Sequence, residues 1–167
     1  MKKACSPLTF QGYFHLEQWR DGKLIHKEVN IKNGVTDVGK NDILDVQFFN
    51  ATQRPTWYLG FIDNSGYTGL ADADTMSSHA GWAEATGYSE VNRPTWVTTA
   101  AASQSITNPT PATFTISGTA TIKGIFCVDD NTKSGSGGLL WATALFAGDI
   151  PVAVADIIKI SYTVNAV

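Results

Sequence analysis

The reactive side chains of this chain are few, and their spacing rarely suits them to one another. Its three histidines are His15, His26 and His79. His15 and His26 fall on the two arms of an expected hairpin, where cross-strand imidazoles could share a metal ion. A protein site needs a third ligand, and the pattern supplies none, so the expectation is bare cross-strand histidines. Asp63, Asp72 and Asp74 resemble part of a calcium loop. The glycine and the closing glutamate of the full spacing are missing, which leaves turn capping. Glu84 and Glu90 could serve as an acid and a base on a sugar, but nothing sets their separation. Ser136 lies in Ser134-Gly135-Ser136-Gly137-Gly138. A nucleophile elbow needs glycine two residues earlier and a helix after it, so this run reads as a flexible turn. Trp19, Trp57, Trp82, Trp96 and Trp141 could include a sugar-stacking platform. Core or interface anchors are the alternative, because indoles bury large areas. No catalytic residue, metal site or cofactor is expected.

The elements that would carry these residues are strands. Residues 113–128 (TFTISGTATIKGIFCV) alternate almost without error. Phe114 and Ile116 oppose Thr113, Thr115 and Ser117, and beyond Gly118 the residues Ala120, Ile122, Phe126 and Val128 are expected on one face. A period of two is the strand signature. Residues 139–146 and 157–164 answer it, the last with Ile158, Ile160, Tyr162 and Val164 as its apolar set. Residues 12–20 and 23–32 flank Asp21-Gly22, a type I′ hairpin signal. This hairpin is expected to lie over something rather than at the centre. Residues 37–49 form the one good helix candidate, with Thr36 or Asp37 as cap and Val38, Ile43, Leu44, Val46 and Phe48 on one broad side. Gly39 weakens it. The helix is expected to pack on a sheet edge. Residues 56–62 (TWYLGFI) are apolar throughout, as in a buried strand, and residues 94–100 (PTWVTTA) look like a further strand. Residues 63–93 lose all periodicity yet carry Tyr67, Leu70, Met76, Trp82 and Tyr88. A long loop so rich in aromatics is ordered and functional, either across the sandwich or as an interface. The expected architecture is mainly β: a single antiparallel β-sandwich, jelly-roll-like, over residues 11–167, with a loose arm over residues 1–10.

Composition narrows the function classes. Charged residues are 16% of 167, below the roughly 25% usual for soluble domains. Thr, Ser, Asn and Gly carry the polar surface instead, as in extracellular or particle-bound β proteins. The net charge of -3 gives no general attraction to nucleic acid. Lys2, Lys3, Arg20, Lys23, Lys27, Lys32 and Lys40 cluster in the first quarter, as a solvated face or as an end that meets an acidic partner. The two cysteines, Cys5 and Cys127, lack metal or redox spacing, and a disulfide between them suits an oxidising compartment only. Met1-Lys2-Lys3-Ala4 starts like a signal peptide, but no apolar run follows and no stretch is long enough to span a bilayer. The expectation is a protein made in a cytoplasm and kept there or released with a particle.

One ordered set of motifs has a likeness. It comprises residues 33–45 (NGVTDVGKNDILD), 57–63 (WYLGFID), 74–84 (DTMSSHAGWAE), 88–96 (YSEVNRPTW), 122–126 (IKGIF) and 140–146 (LWATALF). Together these resemble a family of small structural proteins of tailed bacteriophages, over residues 12–165. The resemblance implies a virion component, related to capsid decoration or cement proteins, with no enzymatic activity. Its implied partners are the major capsid protein and further copies of itself, as homo-dimer or homo-trimer, with no membrane and no direct nucleic-acid contact. The arm and hairpin would grip the capsid through Lys2, Lys3, Phe10, Tyr13, Trp19, Arg20 and Lys23. The aromatic loop would form subunit contacts through Tyr67, Met76, His79, Trp82, Tyr88, Arg93 and Trp96. The competing class is a carbohydrate- or receptor-binding jelly-roll module of a tail, neck or fibre, with Trp82 and Trp96 as stacking rings.

Overall fold

The computed structural model describes residues 8–167. Lys2, Lys3, Cys5 and most of the expected arm lie outside the described residues. The hairpin forms as its turn demands: Asp21 (φ 50°) and Gly22 (φ 73°) both take left-handed backbone between β1 (Phe10–Arg20) and β2 (Lys23–Lys32). The arm ends earlier than expected. Phe10 already pairs with Ala166, and Thr9 exchanges two backbone hydrogen bonds with Val167, at 2.6 and 2.8 Å. The first described residues are thus part of a sheet.

Two antiparallel sheets face each other. The first runs β2-β1-β10, where β10 is Ile157–Ala166, and then splits. On the far side of β10, β6 (Ser105–Thr107) pairs with its end and β7 (Ala112–Thr115) with its start. The second runs β3 (Gly34–Val35), β9 (Leu140–Val152), β8 (Ala120–Val128), β4 (Tyr58–Asp63) and β5 (Glu84–Ala85). The pairings β1 with β10, β3 with β9 and β4 with β8 nest inside one another, as in a rolled-up hairpin. The mainly β sandwich read from the sequence is therefore the fold. The N-terminal hairpin, expected over the sheet, is instead within it: β1 lies between β2 and β10, and Phe14 and Leu16 are wholly buried.

The alternating stretch at 113–128 is not one strand. β7 belongs to the first sheet and β8 to the second, so the chain crosses the sandwich between them. The expected face also changes partway. A bulge between Ile122 and Gly124 adds a residue, and an extra residue reverses which side later side chains take. Ile122, Ile125 and Cys127 therefore face the core between the sheets, while Phe126 and Val128 face the other way.

That outer side of the second sheet is buried too. Residues 67–82 fold across it and bring Met76 and Trp82 onto Ile62, Phe126, Val128 and Leu140, with Tyr67 and Leu70 at the margin. This second apolar layer explains why residues 56–62 are apolar throughout and why Ile125, Phe126, Cys127 and Val128 are apolar towards either side: both faces of β4 and β8 are covered. Close approach is built in at Gly60, where any Cβ would lie within 3.0 Å of the Phe126 ring. Residues 94–100 do not form a full strand. They are held by a bridge from Thr95 to Tyr58 and by Trp96 N–H to the Trp57 carbonyl at 2.8 Å.

Candidate functional site

α1 (Asp37–Phe48) begins where Thr36 accepts from Gly39 N–H at 3.1 Å, and the Thr36 hydroxyl donates to the Leu140 carbonyl. This double role joins the cap to β9. Gly39 is the one buried residue of the helix, and a Cβ there would sit 2.7 Å from the Trp141 carbonyl oxygen. Glycine is thus what lets the helix start lie against the sheet. Further along, α1 stands away from the sandwich. The apolar side expected to pack on a sheet edge is covered only in part by the described residues: Val38, Ile43 and Val46 are half-buried, whereas Leu44 is 55% and Phe48 79% exposed, as is Phe49 just beyond the helix at 81%.

Between this helix and the end of the sandwich runs a groove of about 860 Å³. Leu44 and Phe48 form one rim, Leu8 and Phe10 the other. The floor is Trp57, Trp96, Trp141, Ile106 and Val164. Trp57 and Trp141 meet at 5.9 Å between ring centroids. The Trp141 indole donates to the Tyr162 hydroxyl at 2.9 Å, and that phenol stacks on Phe14 at 3.9 Å, so the floor is tied to the core. The cations beside the groove are matched within the chain. Arg54 bridges Asp42 and Asp129, and Lys40 pairs with Asp37 at 3.1 Å and with Asp72 at 3.4 Å. The groove itself therefore offers apolar surface, and the four aspartates around it outnumber the two cations by two.

Among the described residues, the expected capsid-binding side chains do not form one patch. Phe10 is on the groove rim, whereas Arg20 and Lys23 are at the hairpin tip, about 33 Å away along a strand of that length. Tyr13 and Trp19 point outward from the first sheet, where Trp19 donates to Glu17 at 3.2 Å and Lys159 covers its ring at 5.0 Å. Arg20 is engaged by Asp156.

The expected subunit-contact residues are mostly interior, which corrects their assignment. Met76, Trp82, Tyr88, Arg93 and Trp96 are buried; of these only Trp96 lines the groove, and the other four side chains offer no surface to a neighbour. Their apolar area already packs within the protomer, and their polar atoms have partners there. The Trp82 indole donates to Asp74 at 3.0 Å and the Trp96 indole to the Tyr162 carbonyl at 3.0 Å. Neither ring is open to stack on a sugar. His79 lies half-buried on Trp82 at 3.9 Å, and Tyr67 remains at the edge of the layer beside Lys123.

Arg93 is fully buried and holds the long loop to the turn after β8. It donates to both oxygens of Glu84 at 3.0 and 2.8 Å, and to the carbonyls of Asp130 and Gly135 at 2.9 Å each. Burial, with Glu84 beside it, pushes the Tyr88 phenol well above its usual range. It stays neutral and donates to Glu84 at 3.3 Å. Glu90 does not face Glu84. Both its oxygens accept from Thr115 N–H, at 3.0 Å, so the two carboxylates are cross-links rather than an acid–base pair.

His26 lies opposite Gln18 and contacts Glu28 at 3.2 Å, while His15 faces the bulge at Asn30. They are not cross-strand neighbours, and no cluster of metal-ligating side chains occurs among the described residues. Asp74 caps Ala71 N–H at 3.0 Å, the turn role expected. Cys127 is a buried free thiol, pushed up by burial. No helix among the described residues is long and apolar enough to cross a membrane.

The sequence reading missed the exposure of the α1 side and the joint role of Trp57, Trp96 and Trp141. A faint signal existed: Phe48-Phe49 ends the helix and is followed by Asn50, Ala51, Thr52, Gln53 and Arg54, with no large apolar residue to cover it. No protein-family model and no curated protein matches the chain.

Proposed function

We propose that this protein is a non-catalytic virion component, a decoration or cement protein that binds the outside of a phage head across joints between major capsid subunits. The observation that carries the reading is the partly bare apolar α1 face with its tryptophan-floored groove. Soluble monomers rarely leave such a patch open, and one of this kind marks a binding surface. The ordered motifs at 33–45, 57–63, 74–84, 88–96, 122–126 and 140–146 supply the phage context. Arg93, Glu84, Glu90 and Asp156 support it from the other side, because each is engaged in holding the chain together.

A cement protein needs no reaction. It binds the expanded shell, stabilises that state by mass action, and gains from many copies acting together. The carbohydrate- or receptor-binding alternative loses the two rings it rested on, since Trp82 and Trp96 are interior. Quantitative mass spectrometry of purified particles tests the proposal. The expected result is a copy number comparable with that of the major capsid protein. Absence from intact particles would refute the role, and a copy number matching a tail or neck ring would move it off the head.

A further inference from the structure

We propose that the α1 groove takes a basic amphipathic segment of its partner, with an apolar side chain on the tryptophan floor and lysines or arginines beside it. This rests on the reading of that face as the shell-binding surface and adds the chemistry of what it grips.

The floor supplies the anchor point. Trp57 and Trp141 are only partly buried by the chain itself, and with Ile106 and Val164 they line a groove of about 860 Å³. A concave apolar site with indoles at its base is where one buried side chain of a partner contributes most to binding.

The collar supplies the sign of the charge. α1 carries Asp37, Asp42 and Asp45 against one cation, Lys40. Asp72 and Asp129 join them through Lys40 and Arg54. Five carboxylates therefore meet two cations, an excess of three negative charges among the described residues. The net charge of the whole chain is also -3, so the remaining charges cancel and the α1 end is the acidic part of a balanced protein. Asp45 is exposed and has no ion pair among the described residues. It stands three positions before Phe48, and residues so spaced are neighbours on one helix side. A partner laid over Leu44 and Phe48 thus meets uncompensated carboxylate beside the apolar contact. Complementary charge speeds encounter and rejects partners of like sign. The sign is the reverse of the one suggested by the basic hairpin, whose Arg20 and Lys23 lie at the far end of β1.

The test is titration of the full chain with two amphipathic helical peptides of equal length, followed by tryptophan emission. Both carry the same leucine and phenylalanine face; one has lysine on its polar side and the other glutamate. The lysine peptide is expected to bind, with a blue shift as Trp57 and Trp141 lose water, and to weaken as salt is added. The glutamate peptide should bind at least about tenfold more weakly. Asp45→Lys should weaken the lysine peptide by about threefold and favour the glutamate one, while Phe48→Ala should weaken both. Melting temperatures should hold, because both side chains are outside the core. Equal affinity for the two peptides, or lysine-peptide binding indifferent to both substitutions, would overturn the inference. So would wild-type dimers that Phe48→Ala dissociates, which give the groove to a second copy, or peptide binding that needs removal of residues 1–7, which gives it to the chain's own start. Purified shells that lack the protein separate this from the functional reading. Shell binding lost with Phe48→Ala but indifferent to salt and to Asp45→Lys refutes the basic segment and leaves the role standing. Lysine-peptide binding as expected, with no binding to shells, refutes the role and leaves the chemistry of the groove standing.

Discussion

Two buried ionic groups show how single residues hold loops onto this sandwich. Arg93 has four acceptors around it and no solvent. Removing its charge as Arg93→Met leaves Glu84 buried beside Tyr88 with one backbone donor, Ser134 N–H at 2.9 Å. Breaking such a pair costs about 3–5 kcal/mol, expected as a fall in the urea midpoint. Arg93→Lys should recover little, because an ammonium cannot reproduce the planar fork. Asp156 is the second case. Its carboxylate accepts from Arg20 at 2.6 and 2.8 Å, from Gln18 at 2.7 Å and from Ala153 N–H at 2.9 Å. The Arg20 hydrogen bond leads in pulling its pKa down to about 2. A carboxylate whose folded pKa is depressed adds stability above its unfolded value of about 3.9, and that stability fades as pH falls toward the folded value. Wild type should therefore out-melt Asp156→Asn at neutral pH, by about 1–2 kcal/mol. The gap should narrow between pH 4 and pH 2, the window set by those two pKa values. Melting curves across that range decide it: a gap that stays constant down to pH 2 would count against the linkage. Neither residue was legible as an anchor in the sequence. Arg93 joins Glu84, nine positions away, to the carbonyls of Asp130 and Gly135, 37 and 42 positions away, and Asp156 meets Gln18 138 positions away; no local pattern encodes that.

Elements were more legible than their neighbours. The Asp21-Gly22 hairpin, the Thr36 cap and the inward set of β10 followed from turn chemistry, capping and period two, all of which act within a few residues. The break between β7 and β8 and the bulge at Ile122–Gly124 did not, because a bulge is set by pairing with β9 rather than by the stretch itself. Gly39 marks the limit. In sequence it weakens a helix by about 1 kcal/mol; in the fold it is the position where α1 touches β9. Gly39→Val should therefore destabilise by about 1–3 kcal/mol as an overpacked contact, although valine is the better helix former. Denaturant unfolding measures this, and a stabilised Gly39→Val would mean the helix start moves freely. The apolar side of α1 was visible as a stripe. A stripe reads the same whether the chain's own sheet covers it or another molecule does, so its exposure had to come from the structure.

At the scale of the whole molecule, the second sheet is the middle of three layers. The first sheet covers one of its sides and residues 67–82 the other, while Ala85 and Tyr88 of the same long segment join the core between the sheets. Trp82 is the centre of the outer layer, packed on Phe126 at 5.2 Å and on His79, with its indole on Asp74. Trp82→Ala removes all three contacts and should cost about 3–5 kcal/mol. The loss should also be local. Met76 and Trp82 belong to the outer cluster and contribute nothing to the core between the sheets. The sandwich should therefore stay closed while the loop opens. Limited digestion with thermolysin, read by mass spectrometry, distinguishes local from global opening. Wild type should resist cleavage throughout 63–93, because a covered segment is cut only when it opens. Trp82→Ala should be cut first near Tyr67, Leu70 and Met76 while β1 and β10 stay intact. Simultaneous cleavage in β10 would mean that the outer layer and the sandwich unfold as one unit, and that the loop is part of the core rather than a cover over it.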